Sequence, residues 1–525
     1  MTKYLLNRII RGLFSIIIVV LIVMLLIYSC LDRKMIFSKD SSWTKMKSNS
    51  KVVYEYQQWE KYGYLDYVPY TDYLKELLKS GELTEESYNQ ATGLGKTANE
   101  DSETVALYVQ KFTEKYESEG YKVERLKGDM LGKKYKEGGR PQLFAHKDYP
   151  LISRAWKYFT GVLVFDNIHK VEEDVGERGL SFTWRDPAYG GEKFSPAIMG
   201  NGTHHKYLLY FDSQFPYVHQ NFVNVQLGVS YSINKGIDVF DTMSVTQGTF
   251  EKKTVYYPTG LVEESANDLH TATYAPGSFD NNELALIRDR YVDNYTNVGS
   301  YKNGLSKVGY SFVIGIISVL LAYVVALPLG MLMARKKDTF IDNLGTIYIV
   351  FIIAVPSLAY IFLFQGIGRK IGLPTTFDMN EPTWTMYILP IISLALPSIA
   401  NLMKWLRRYM IDQMNSDYVK FARSGGLSEG EIFSKHILKN AAIPIIHGIP
   451  GSVLGSLVGA IITERVYVVP GAGNLLTNAI NAYDNGVIVG VTLFYALLSV
   501  VSVMLGDILM SMIDPRISFT TKKGR

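Results

Sequence analysis

Polar side chains inside apolar runs are the first candidates for chemistry in this 525-residue chain. Tyr323, Gln365, Asn401, His447, Thr463 and Glu464 all lie within or at the edge of long hydrophobic segments. A polar or ionisable group at membrane depth is costly, so it marks a pathway, a relay or a helix-helix hydrogen bond. Glu464 and Arg465 fit an outer interface equally well, and Asn401 fits a simple interhelical hydrogen bond equally well. Patterns for catalysis are lacking. Cys30 is the single cysteine, which excludes an internal disulfide and a cysteine-based metal site. Gly95-Lys96-Thr97 ends like a phosphate loop, but Gln90 occupies the position of the first glycine. Gly471-Ala472-Gly473 is an isolated fragment and reads as a turn. His204, His205 and His219 lack ligand spacing and read as surface or packing residues. No HExxH occurs. The expectation is a chain without catalytic residues, metal or bound cofactor. A net charge of +4 does not suggest a nucleic-acid partner.

Hydrophobic residues make up 47% of the chain and are concentrated at its two ends. Gly12–Leu31 is almost wholly apolar and follows Arg8 and Arg11. About 20 residues suffice to cross a bilayer. A cleaved secretory or lipoprotein signal ending near Cys30 is disfavoured by the length of the run and by Tyr28. Five more spans are expected at Val308–Ala334, Leu344–Gly368, Met386–Met403, Ala441–Thr463 and Gly486–Met512. Pro328, Pro356, Pro390, Pro397 and Pro450 fall inside these runs, where packed membrane helices tolerate them. Small residues over Gly451–Gly459 permit close helix packing.

Lys and Arg cluster before the first span, after the second (Arg335, Lys336, Lys337), between the fourth and fifth, and at the C-terminus. Arg369 and Lys370 run against this pattern but share their loop with Asp378 and Glu381. By the positive-inside rule, six spans place both termini in the cytoplasm and the large middle region outside. The expected fold is an α-helical polytopic membrane protein of six helices, with an α+β extracellular domain inserted between the first two. Its divisions are 1–35, 36–304 and 305–525, with a cytoplasmic loop at 412–444. The inserted region is charged and holds most of the 37 tyrosines. Tyr70–Gly132 reads as helical, and Tyr207–Phe211 and Thr254–Tyr257 read as strands. Its tyrosines suit either a partner surface or a β core.

The loop itself carries a compact signal. A helix from about Ser416 to Ser424 stops at Gly425-Gly426, because glycine adopts the left-handed conformation that ends helices. Ser428 and Glu431 then form a capping box. Ile432, Phe433, Ile437, Leu438 and Ala441 give the second helix an apolar face, opposite Lys435 and Lys439. Such a pair either docks into a cytoplasmic partner or packs on its own membrane domain.

Asp417–Leu427 followed by Lys435–Pro444 closely resembles the EAA coupling loop of ABC importer permeases, in the form found in peptide and oligopeptide permeases. Thr463–Gly473, Gly506-Asp507, Asp514–Ile517 and Tyr4–Arg11 also resemble blocks of that family. The inserted region, especially Lys206–Gly228, resembles the enlarged permeases of streptococcal-type oligopeptide importers, with Trp156–Leu163 a weaker echo. The resemblance implies an oligopeptide permease subunit that pairs with a second, homologous permease. It implies two cytoplasmic ATPases that use ATP and Mg, and an extracellular peptide-binding lipoprotein. It implies coupling through Ala422, Arg423, Gly425, Gly426, Leu427, Ser428 and Glu431. The chain departs from the family pattern at Ser424-Gly425, which opens the docking register to question. Tyr323, Gln365, Asn401, His447 and Glu464 are the candidate lining of a path for peptides. Dipeptides, peptide pheromones and metal chelates remain alternative cargoes. A membrane-anchored receptor, or a channel or secondary transporter, are the rival classes.

Overall fold

The computed structural model describes residues 2–186, 190–211, 217–256, 262–276, 294–379 and 383–513. Asp514–Ile517, the rest of the C-terminal tail and Glu381 lie outside the described residues. Among those described, five helices are long and apolar enough to cross a membrane: Leu6–Cys30, Lys307–Arg335, Trp384–Met414, Ile449–Tyr467 and Asn485–Ile513. The first belongs to a helix that starts at Thr2.

The helix expected at Leu344–Gly368 is not continuous. Phe340–Ala354 and Ser357–Lys370 meet at a bend of 108°. Pro356 explains the break: the residue before it, Val355, is forced into extended conformation at φ −86°, ψ 129°. Pro328 and Pro397, by contrast, lie inside unbroken helices. The fifth run is also divided, into Leu438–His447 and Ile449–Tyr467, with Gly448 between them. Asn401 does not end the fourth run, which continues to Met414.

Ile388–Met414 is the central helix and the most buried one. Lys307–Arg335, Phe340–Ala354, Leu438–His447 and Ile449–Tyr467 all pack against it. Arg407 on this helix makes a two-pronged ion pair with buried Asp342, Nε to Oδ1 at 2.5 Å and Nη2 to Oδ2 at 2.6 Å. The first and last apolar helices pack together, with Arg8 and Asp507 paired at 3.1 Å.

The region between them is α+β. Gln142–Asp148 is the central strand of a three-stranded antiparallel sheet, flanked by Leu65–Pro69 and Lys122–Leu126. Helices Ser48–Lys61, Tyr70–Lys79 and Glu103–Ser118 cover it. A second, four-stranded antiparallel sheet runs in the order Val218–Gln220, Tyr207–Phe211, Ala197–Asn201, Gly179–Thr183. Many tyrosines here are core residues: Tyr56 lies 4.7 Å from Phe144 and 5.1 Å from Trp59, ring to ring.

One carboxylate joins this region to the apolar helices. Asp484, fully buried just before the last helix, accepts from Ser230 Oγ at 2.7 Å and from the backbone N–H groups of Tyr231, Ser232 and Ile233 at 2.9–3.1 Å. Gly486, two residues further, is what lets the two backbones meet: a Cβ there would collide with the Val229 carbonyl oxygen. Asp484→Ala strands these donors without an acceptor, at about 1–3 kcal/mol for each one left unsatisfied. The expected outcome is a lower melting temperature of the full chain and faster proteolysis at 225–240. Asp484→Asn, which keeps one acceptor oxygen, falls between.

Candidate functional site

Two features stand out on the apolar-helix half of the molecule: an exposed helical turn and a polar cleft. The turn is built on Asp417–Ser424, with Val419 and Ala422 buried on one side. Its end is a Schellman arrangement. Leu427 N–H donates to Ala422 O at 3.3 Å, and Gly426 N–H donates to Arg423 O at 3.1 Å. Gly426 has φ +82°, the left-handed region, and open space where a Cβ would be. Gly425 is at φ −77°, an ordinary value. The doubled glycine therefore leaves one defined turn: Gly426 makes it, and Gly425 is only the last residue before it.

Ser428 then caps Glu429–Glu431, with the reciprocal Ser428–Glu431 hydrogen bonds of a capping box. Arg423 closes the turn from outside, Nε to Glu429 Oε1 at 2.6 Å. Beyond it, Ile432–Ile437 is wound as a π-helix. That wider turn puts the buried positions at Ile432, Ile437, Ala441 and Ile445, the first gap being five residues. They join Val419, Ala422, Leu406 and Met410 in the core around the central helix. The pair thus packs on its own chain by one side and leaves the other free. On that free side Phe421 is 81% exposed, and Leu427 is also exposed. Phe421 was not singled out from the sequence. Its signal is an aromatic residue on the polar side of a short helix whose apolar side is already supplied by Val419 and Ala422.

The cleft, about 640 Å³, is enclosed by Ser357–Lys370, Ile388–Met414 and Ile449–Tyr467. Of the residues expected to line a path, Asn401 and Thr463 meet here. They are joined by Ser357, Tyr360, Ser393 and Ser456, which sequence reasoning missed. The lining has hydroxyls and one amide but no carboxylate and no cation. Gly451 and Gly455 form an exposed stripe along it, with nothing within 4 Å of where a Cβ would stand on either.

The other candidates sit at packing joints. Tyr323 Oη donates to Ile445 O at 3.3 Å, tying Lys307–Arg335 to Leu438–His447. Gln365 Nε2 donates to Thr375 O at 3.2 Å and Val466 O at 3.4 Å. His447 faces the last helix at Gly506. Glu464 is fully buried, accepts from Ser311 Oγ at 2.5 Å and from Asn474 N–H at 2.9 Å, and so holds the start of helix Ala472–Asn481.

Residues 326–519 match the family described as binding-protein-dependent transport system inner membrane component. Over 533 aligned residues the chain is 36% identical to the oligopeptide transport system permease protein AmiC of Streptococcus pneumoniae, covering the whole of both chains. It is 31% identical over 229 residues to the dipeptide transport system permease protein DppB of Lactococcus lactis, covering 42% of this chain and 73% of that one. A similar match, 30% over 227 residues, links it to the oligopeptide permease AppB of Bacillus subtilis, covering 41% of this chain and 71% of that one. The chain belongs to the peptide-permease family of ABC importers, whose members are multi-pass membrane transport subunits. The inserted region is shared with the AmiC relative, since that alignment runs the full length.

The two glycines can be told apart experimentally. Gly426→Val forces a β-branched residue into the left-handed region, which costs about 1–2 kcal/mol. Backbone amide exchange over 421–431 is expected to speed up by about tenfold, while Gly425→Ala leaves it close to wild type.

Proposed function

We propose that this permease subunit carries oligopeptides across the membrane along the Asn401–Thr463 cleft, opposite a second, homologous permease. Counting the bent pair Phe340–Lys370 as one span gives six crossings, with both termini in the cytoplasm and the large domain outside. The Lys and Arg clusters support this orientation. The lining suits peptides as a class: hydroxyl and amide groups bond to any backbone, and no fixed charge selects among side chains. The unpartnered glycine stripe at Gly451 and Gly455 leaves room for the other permease to approach.

Energy enters through the turn at Ala422–Glu431. Two cytoplasmic ATPases bind ATP and Mg, and this chain binds neither. The observation that carries the reading is the exposed aromatic tip on a rigidly capped helix pair. Phe421 and Leu427 form the knob for an ATPase cleft, while Val419, Ala422, Ile432 and Ile437 fix the pair to the central helix. ATP binding shifts the permease toward the outward-facing state only in so far as the ATPases hold that state more tightly. An extracellular peptide-binding lipoprotein delivers the cargo. The exposed face of the four-stranded sheet supports a docking role for the outer domain: Phe182, Trp184 and Phe194 lie in the open, with Trp184 stacked on Phe194 at 5.8 Å.

The test is reconstitution of the chain with its partner subunits in vesicles, reading ATPase co-purification and ATP-driven uptake of a labelled peptide. Phe421→Ala is expected to weaken ATPase binding by about 2 kcal/mol, roughly thirtyfold, as for an interface anchor. Uptake falls with it, while the chain's melting temperature stays put. Unchanged ATPase binding would reduce the turn to a packing element. Uptake that needs no ATPase would favour a channel or secondary transporter.

A further inference from the structure

Helix Leu151–Gly161, on the outer domain, has two unlike sides. Ala155 is buried in one cluster with Met24 and Ile27, in the last turns of the first apolar helix. Met24 lies six residues before the end of that helix at Cys30, a rise of about 9 Å. This short helix therefore sits beside the outermost turns of a membrane-crossing one. Next to that buried side, about 60° and 100° round the helix from Ala155, it is apolar and bare: Ile152 is 83% exposed and Trp156 73%, and Leu163 and Phe165 just beyond continue the patch. The first apolar helix is likewise bare at Ile18, Ile22, Leu25 and Leu26, the surface it offers to lipid. From Tyr149 to Phe165 the chain has two cations, Arg154 and Lys157, and no acid.

Behind the helix lies a cavity of about 380 Å³, whose walls include Met24 and Val489 from the two packed apolar helices. Arg154, Lys157 and Lys61 line it, against one carboxylate, Glu60. Arg154 lies over two rings, 3.6 Å from the centre of Tyr28 and 4.2 Å from that of Tyr64. Among the described residues no carboxylate pairs with its guanidinium, nor with the ammonium groups of Lys157 and Lys61. Tyr62 Oη, also at the cavity, is buried without a hydrogen-bond partner.

We propose that helix Leu151–Gly161 lies in the headgroup layer of the bilayer, and that the cavity behind it holds the phosphate of an anionic phospholipid. An amphipathic helix with tryptophan on its apolar side and cations beside it binds at that depth. A guanidinium with free donors matches a phosphate oxygen pair. Three cations against one acid favour an anionic headgroup over a zwitterionic one. The inference rests on the first and last helices crossing the bilayer. It is independent of which side the outer domain faces and of the cargo.

The test uses the full chain in nanodiscs of phosphatidylcholine with or without phosphatidylglycerol. Six tryptophans are present, so the difference between wild type and Trp156→Phe isolates the Trp156 signal. That signal is expected to be quenched by acyl-brominated lipid and protected from iodide. Quenching by iodide alone would overturn the placement. For the headgroup, retained lipid is counted by native mass spectrometry. Lys157→Gln, at an exposed position that leaves the fold alone, is expected to lower the phosphatidylglycerol preference about fivefold, and Arg154→Gln at least as much. Equal retention of both lipids, or a preference unmoved by Lys157→Gln, would overturn the headgroup site. A thiol-reactive, membrane-impermeant reagent on Ser80→Cys in a Cys30→Ser chain reports the side of the outer domain separately.

Discussion

Backbone N–H and C=O groups in a hydrocarbon layer have no water to bond, so a chain that crosses it must satisfy them from within. Three irregularities of the apolar half bear on that constraint. The break at Val355-Pro356 and the pause at Gly448 flank the same polar cleft. The π-turn at Ile432–Ile437 falls where the chain returns from an exposed loop to the core. Two of these departures from straight helix thus border the polar cleft, and the third borders the core. The central helix Ile388–Met414 is what makes this cover available, and its bond to Asp342 through Arg407 fixes the broken pair to it.

Two buried carboxylates perform the joining work elsewhere. Glu464 gathers Ser311 and the start of Ala472–Asn481, so three segments share one acceptor. Asp484 does the same for the inserted α+β region through the backbone of 231–233. In both, the partners are mostly backbone or hydroxyl donors and not cations. The carboxylates act as connectors of chain direction, a role that needs geometry more than charge.

Much of the exposed turn was legible in the sequence, because its determinants are local. A left-handed residue after a helix calls for glycine, and a Ser-x-x-Glu pattern reports its own cap. What could not be read was which of Gly425 and Gly426 turns, since both are equally permissive until the helix end is fixed. Span boundaries were less legible. Pro356 breaks its run and Pro397 does not, although both sit in apolar surroundings. Nothing in the local sequence separates the two prolines, so the outcome is a tertiary matter. In the cleft, Asn401 and Thr463 stood out as polar residues in apolar runs. Ser357, Ser393 and Ser456 did not, because a helical serine usually bonds to its own backbone and carries little signal. Asp484 was invisible: its partners are some 250 residues away in the chain.

The footing of the inserted α+β region has a mechanical side. Asp484 stands at the head of Asn485–Ile513, a 29-residue helix of about 44 Å. A domain bolted to the end of a rod follows the rod's tilt instead of averaging it away, as a domain on a slack tether would. Gly486 and Gly490 let the backbone at 229 and 227 press against that rod, which removes the remaining play. Any leaning of the last helix is therefore passed to the inserted α+β region as a change of bearing, and a load applied to that region presses back along the same shaft.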